Sequence, residues 1–171
     1  MQLCLVAFLG LTLSLQKHAS QPAHQMRTVQ HPVMRTPLIA GNWKMNTDLD
    51  EAIKLAGEVA AAAQKAKDVD VAVCVPFPFL VPVKDVLKSS NVKLGAQDCY
   101  FEEEGAYTAA VSTKMLASVG CDYIVTGHSE RRAIFGDTDA DVNKKVSQAL
   151  VMHPLLVLCR SPYFFFLHNT S

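Results

Sequence analysis

From residue 38 onward, the hydrophobic positions of this chain switch repeatedly between two periods. Short apolar, β-branched runs predict strands at residues 38–44, 70–75, 91–96, 123–126 and 155–159. Apolar residues spaced by three and four predict helices over residues 47–63, 79–87, 112–119 and 137–150. Strands that alternate with helices indicate an α/β fold with a parallel sheet and right-handed crossovers. A closed barrel and an open doubly wound sheet both fit this pattern.

The length and composition of the chain narrow the possible classes of protein. Its 171 residues suit one domain with a core of ordinary size. Lys plus Arg equal Asp plus Glu at 16 each, so charge gives no reason to expect a nucleic acid or an anionic membrane as a partner. The five cysteines include no Cys-x-x-Cys pair, so we do not expect a zinc site. Cys74, Cys121 and Cys159 lie in apolar runs and are predicted to be reduced core residues in a reducing compartment.

Residues 1–35 differ in composition from the rest of the chain. Residues 3–15 form an apolar run that is too short to cross a bilayer, so no stable membrane span is expected. A mildly basic stretch follows, and no acidic residue occurs before Asp48. This pattern resembles a bipartite presequence for import into a complex plastid, and the alternative is an upstream region translated only in a gene model. In both cases we expect residues 1–35 to lie outside the fold.

The first candidate for chemistry is a histidine at the carboxyl end of the fourth predicted strand. Strand alternation places Ile124 and His128 on one face, so the imidazole is predicted to point the same way as the inner residues of the strand. Ser129 and Glu130 suit the first turn of a helix. The field at that helix end disfavours imidazolium, so His128 is expected to stay neutral and donate a hydrogen bond. The alternative is a structural histidine beside a charged surface cluster.

A second candidate lies at the end of the first predicted strand. Alternation puts Asn42 and Lys44 on one face there. A lysine in this position can anchor an anionic substrate and stabilise negative charge that develops on it. The alternative is that the lysine is a solvated charge and the asparagine an ordinary turn residue.

Together, the two stretches resemble the triosephosphate isomerase family. The carrying motifs are Ala-Gly-Asn-Trp-Lys-Met-Asn at residues 40–46 and Gly-His-Ser-Glu-Arg-Arg at residues 127–132, with Gly-Ala-Gln-Asp at residues 95–98 between them. The resemblance implies an eight-stranded TIM barrel with catalytic groups at the carboxyl ends of its strands. This chain is expected to form about five of those parallel strands with their intervening helices.

The resemblance divides the chain into three segments. Residues 36–159 are expected to form a partial barrel, residues 1–35 a presequence or leader, and residues 160–171 a divergent tail. By family default the compartment is the cytoplasm, and the alternative is a plastid reached through the presequence.

The resemblance also implies an activity and a role for each candidate residue. The reaction interconverts dihydroxyacetone phosphate and glyceraldehyde 3-phosphate through an enediolate, in glycolysis and gluconeogenesis, and needs no metal or organic cofactor. His128 would polarise the carbonyl, Lys44 would stabilise the enediolate and the phosphate, and Asn42 would position the substrate oxygen. Glu130 would hold Lys44 and contribute to proton handling, and Ser129 would order the turn.

The family forms homodimers in which the long third loop inserts beside the active site of the partner. Thr108 matches the residue at the tip of that loop. Ala109 and Ala110 stand where the family usually has Gly and Glu. Loss of the Gly restrains a tight loop, and loss of the Glu removes an ion-pair partner near Arg131. We therefore expect a weakened homodimer.

The sequence departs from the family pattern after Cys159. No Asp or Glu follows Asp141, and the segments that would carry the catalytic Glu and the phosphate loops are missing. Because a positioned general base is worth roughly 10²–10⁴ in rate, we expect the chain as written to be catalytically negligible. Its first and fifth strands are expected to be open edges. The chain then represents an isomerase with an incomplete gene model, or a genuine non-catalytic half-barrel that self-associates or binds a partner.

Overall fold

The computed structural model describes residues 36–151 with their side chains, and the backbone of three further strands at residues 4–7, 155–159 and 164–167. Its strands are β1 (Cys4–Ala7), β2 (Leu38–Asn42), β3 (Asp70–Val75), β4 (Lys93–Ala96), β5 (Tyr123–Thr126), β6 (Leu155–Cys159) and β7 (Phe164–Leu167). Its helices are α1 (Leu49–Ala63), α2 (Leu80–Leu87), α3 (Thr113–Ser118), α4 (Ser129–Phe135) and α5 (Asp139–Val151). A 3₁₀ turn at Phe77–Phe79 precedes α2. No helix in these residues is long and apolar enough to cross a membrane.

The central part of the sheet is a run of parallel strands. Strands β2, β3, β4, β5 and β6 pair in that order, each parallel to the next. Helices follow the strands along the chain, so the unit is a half-barrel of the kind predicted from the sequence. Parallel strands place their carboxyl ends at one rim, which is where the candidate side chains were expected.

An antiparallel strand lies on each edge of this parallel unit. Strand β1 pairs with β2, with Cys4 opposite Asn42 and Ala7 opposite Ile39. Strand β7 pairs with β6 in the same antiparallel manner. The sequence predicts open edges at the first and fifth parallel strands, and the structure differs because both strands are paired there. Unpaired N–H and C=O groups at a strand edge readily take a partner. The division of the chain into leader, partial barrel and tail stays a prediction.

The sheet has two buried faces of different size. The larger core lies between the sheet and its helices, and Val75, Leu94 and Ile124 are fully buried there with Val83 and Leu116 from α2 and α3. The inner face of the half-barrel carries a smaller cluster of Leu38, Ala40, Ala72 and Tyr123. Most of the apolar burial therefore comes from helix packing on the outer face.

Strand alternation does not determine the direction of the His128 side chain, contrary to the sequence-based prediction. Ile124 packs toward the helices, whereas its neighbour Tyr123 lies in the inner cluster. The strand ends before Gly127, whose φ of +66° interrupts the alternation. A Cβ atom on Gly127 would also lie 3.1 Å from Cγ1 of Val142. The direction of His128 is therefore set by a glycine turn and not by the strand.

Helix α1 begins one residue away from the predicted position. Its N-cap is Asp48, whose carboxylate accepts a hydrogen bond from the N–H of Glu51 at 2.9 Å. The carboxylate of Glu51 accepts one in return from the N–H of Asp48 at 3.2 Å. This reciprocal capping box outcompetes the predicted pair of Thr47 and Asp50, which is wrong.

The buried thiols behave as predicted from their apolar surroundings. Cys74, Cys99 and Cys121 are free and buried. Burial raises the pKa of each of these thiols to about 12, so they stay protonated. The predicted reduced core is confirmed for Cys74 and Cys121, whereas the side chain of Cys159 lies outside the described residues.

The long loop after β4 contains a tight turn. The N–H of Ala110 donates to the carbonyl oxygen of Tyr107 at 3.0 Å, so Thr108 and Ala109 are the central residues. Ala109 has a φ of +71°, at the turn position where glycine is preferred. A left-handed conformation costs an L-residue with a Cβ roughly 1–2 kcal/mol. This geometry agrees with the expected restraint on the loop, and the weakened dimer stays a prediction.

Candidate active site

The turn that follows β2 sets the position of Lys44. The strand ends at Asn42, not near Lys44 as predicted, and Lys44 has a φ of +54°. The side-chain oxygen of Asn42 accepts a hydrogen bond from the N–H of Lys44 at 2.9 Å. The N–H of Trp43 donates to the carbonyl oxygen of Cys74 at 3.0 Å. A side-chain hydrogen bond and a left-handed residue therefore direct the lysine, where alternation alone was expected to do so.

Lys44 and Glu130 connect the rim of the sheet to helix α4. Nζ of Lys44 lies 2.9 Å from Oε1 of Glu130, with the two side chains 37% and 44% exposed. The other carboxylate oxygen of Glu130 lies 3.5 Å from Nδ1 of His128. The structure thus brings together three of the predicted site residues, which come from the ends of two different strands.

The surroundings of His128 favour a neutral imidazole. It is the N-cap of α4, and its Nδ1 accepts a hydrogen bond from the N–H of Glu130 at 3.2 Å. A ring nitrogen that accepts carries no proton, so the proton of the neutral imidazole is on Nε2. Burial lowers the pKa of His128, an effect that the carboxylate of Glu130 opposes and the ammonium of Lys44 reinforces. This agrees with the expectation of a neutral imidazole.

The other predicted residues occupy separate positions. Asn42 joins the site through Lys44, and the amide nitrogen of its side chain is a donor. Ser129 is the first residue of α4, next to the cap. Thr108 lies elsewhere, exposed in the turn of the long loop.

Gln97 is a contact residue that the sequence did not single out as part of the site. Its Nε2 donates to the carbonyl oxygen of Lys44 at 2.9 Å and to that of Cys74 at 3.0 Å. Gln97 directly follows β4, so it lies at the carboxyl end of a strand, as Asn42 does. That position was the signal that could have found it.

A buried charge cluster lies behind the site and was also missed. Nζ of Lys145 is 2.8 Å from Asp98 and 2.6 Å from Asp137, and the lysine is only 3% exposed. One guanidinium nitrogen of Arg131 lies 3.1 Å from Asp98 and 3.3 Å from Asp137. Burial raises the pKa of Asp98, and its hydrogen bond to Lys145 counteracts that rise. Arg131 is therefore paired within its own chain although Ala110 replaces the family Glu.

The rim of this parallel half-barrel carries a neutral histidine beside a lysine–glutamate pair. A site of this class can bind an anion and polarise a carbonyl group. A sequence profile described as triosephosphate isomerase matches residues 37–162. The chain belongs to the triosephosphate isomerase family.

Individual relatives are consistent with this assignment. The chain is 51% identical over 116 residues to triosephosphate isomerase of Carboxydothermus hydrogenoformans, covering 68% of this chain and 46% of that protein. It is 47% identical over 126 residues to the enzyme of Clostridium botulinum, covering 74% and 50%. The crystal structure of triosephosphate isomerase from Bartonella henselae matches with a TM-score of 0.69 at 35% identity, over 74% of this chain and 52% of that one. The chain spans about half the length of the curated relatives it matches.

Proposed function

We propose that this chain supplies the carbonyl-polarising side of a triose-phosphate isomerase site. The proposal rests on the ion pair of Lys44 with Glu130 and on the hydrogen bond from the N–H of Glu130 to Nδ1 of His128, from which we infer a proton on Nε2. The names of the relatives support dihydroxyacetone phosphate and glyceraldehyde 3-phosphate as the substrate pair.

The arrangement suits charge that develops on a substrate oxygen. Nε2–H of His128 donates to the carbonyl oxygen, and the ammonium of Lys44 stabilises the negative charge of the enediolate and of the phosphate. Preorganised donors of this kind are often the largest contribution to catalysis, because they need no reorganisation during the reaction. Because the imidazole is neutral, the ammonium of Lys44, and not His128, supplies the positive charge beside the substrate oxygen.

Proton transfer between the two carbons also needs a base. A base must reach the carbon-bound proton, and a positioned one contributes roughly 10²–10⁴ in rate. In the family the base is a Glu from a later loop, and this sequence contains no Asp or Glu after Asp141. We therefore limit the proposal for this chain to substrate binding and carbonyl polarisation.

Binding of dihydroxyacetone phosphate to the full chain, followed by NMR titration, tests this proposal. We expect Lys44→Met to weaken binding about tenfold, because a charge-assisted contact to the anionic substrate is lost. Lys54→Met removes an exposed lysine of α1 and serves as the matched control, with affinity expected to stay unchanged. Equal affinity of the Lys44→Met variant and the wild type would overturn the assignment of Lys44 to the site.

Exposed apolar side chains favour self-association as a second role. Met45 is 96% exposed next to Lys44, and Ile134 and Phe135 at the end of α4 are 72% and 64% exposed. These residues support a homodimer of the family type, weakened by the changes at the loop tip. Sedimentation velocity of the full chain over a range of concentrations tests this role, and a single monomeric species throughout would exclude it.

A further inference from the structure

We propose that Gln97 and Asp98, adjacent at the carboxyl end of β4, are positioning residues that together hold both partners of the Lys44–Glu130 ion pair. Gln97 holds the backbone of the lysine, and Asp98 holds the helix that carries the glutamate. The importance of this arrangement for catalysis rests on the proposed function, whereas the arrangement itself rests on contacts within the chain.

The contact of Gln97 fixes an unfavourable turn. Lys44 has a left-handed φ of +54°, which a residue with a Cβ adopts only when its surroundings impose it. The N–H of Lys44 is bound by the side chain of Asn42, and its carbonyl oxygen by Nε2 of Gln97. Because Gln97 also donates to the carbonyl oxygen of Cys74, its amide cannot follow the turn if the turn moves away from β3. The N–H of Lys44 is thus tied to the last residue of β2, and its carbonyl oxygen to the residue that follows β4.

The contact of Asp98 fixes helix α4. Oδ2 of Asp98 lies 3.1 Å from a guanidinium nitrogen of Arg131, the residue after Glu130. Lys145 holds the same carboxylate from the other side, with Nζ at 2.8 Å and 3.1 Å from its two oxygens. The carboxylate is therefore shared between two cations, and the first turn of α4 is attached to the end of β4. This attachment limits how far Glu130 can move from the rim.

The two positioning residues are consecutive, which couples the two contacts. Gln97 contacts the carbonyl oxygen of Lys44 and Asp98 contacts Arg131, so one dipeptide after the end of β4 reaches both the Lys44 turn and α4. The separation of the lysine and the glutamate is then set by a single short backbone segment. The Lys44–Glu130 ion pair is thereby preorganised by contacts that Gln97 and Asp98 make outside the pair.

The test uses NMR of the full chain without substrate, comparing Gln97→Leu, Gln97→Asn and Asp98→Asn with the wild type. In the two Gln97 variants we expect the titration midpoint of His128 to move upward, because the Lys44 ammonium that lowers the pKa of His128 is released. In Asp98→Asn we expect the ammonium protons of Lys44 to exchange with water several-fold faster, because Glu130 is no longer held against them. Gln97→Asn is one methylene shorter and keeps the amide, so it provides a readable result if Gln97→Leu fails to fold.

The matched control is Asp122→Asn. Asp122 accepts a hydrogen bond from the N–H of Leu94 in the same strand and pairs with Lys84, so it stabilises β4 away from Gln97. We expect this variant to melt at a lower temperature with the His128 and Lys44 signals unchanged. If the Gln97 variants also lose only thermal stability, the positioning role is wrong. Because neither readout involves substrate, a failure to bind dihydroxyacetone phosphate would overturn the proposed function and leave this result standing.

Discussion

Replacing Lys145 by methionine is expected to lower the free energy of unfolding by about 3–5 kcal/mol, as for other broken buried ion pairs. The lysine is 3% exposed and contacts both Asp98 and Asp137. Methionine has a similar length but carries no charge, so the two carboxylates lose their most buried partner while keeping their desolvation cost. Urea unfolding followed through the fluorescence of Trp43, the single tryptophan, measures the change.

The neighbouring Lys144→Met variant is the control for Lys145→Met. Lys144 is exposed and lies over the ring of Phe101, so its loss is expected to cost no more than about 1 kcal/mol.

The stability of the Lys145→Met variant should also depend on pH. Without Lys145 the folded-state pKa of Asp98 rises further above its unfolded value, so the variant loses stability as pH rises through that interval and regains part of it on acidification. A loss below about 1 kcal/mol, or one that does not change with pH, would contradict this account of the cluster.

Ile124→Ala is expected to cost about 2–5 kcal/mol of unfolding free energy. The side chain is fully buried between the sheet and the helices, where it packs with Leu94 and Val75. Truncation leaves a cavity in the larger core, and surrounding strands and helices relax only in part. Thermal and urea unfolding followed by circular dichroism measure the loss.

Ile134→Ala provides the same chemical change at a surface position. Ile134 is 72% exposed, so its truncation is expected to change stability by no more than about 0.5 kcal/mol. Equal effects of the two substitutions would mean that Ile124 does not lie in the helix-facing core. The inner-face position predicted from strand alternation would then have to be reconsidered.

The class of fold could be predicted from the sequence because it depends on repeated patterns. Each strand and helix carries its own apolar period, and errors of one or two residues at the ends do not change the order of elements. The motifs around Asn42 and His128 then selected the barrel over the open sheet. Parallel pairing of β2 through β6 follows from that order.

The geometry of individual side chains was less predictable, because it depends on single turn residues. Lys44 and Gly127 both have positive φ, and each changes the direction of the chain just after a strand ends. The prediction continued the strand alternation two residues past these ends, to Lys44 and His128. The structure brings Lys44, Glu130 and His128 together, but strand alternation is not what directs their side chains. Alternation holds only inside a strand.

Contacts between distant segments were the part that sequence patterns could not reveal. Asp98, Arg131 and Lys145 belong to a loop and two helices, and nothing in the local pattern of any one of them indicates the other two. The antiparallel strands β1 and β7 likewise fall outside the segment that carries the family motifs. Such pairings are decided by three-dimensional packing.

We propose that His128 donates a hydrogen bond from Nε2 to a substrate carbonyl. Infrared spectroscopy of dihydroxyacetone phosphate bound to the full chain measures the effect of this hydrogen bond, with His128→Ala as the comparison. We predict a carbonyl stretching band at lower frequency in the wild-type complex than in water, and loss of that shift in His128→Ala. The same band position in both complexes would contradict the assignment of His128 as the group that polarises the carbonyl.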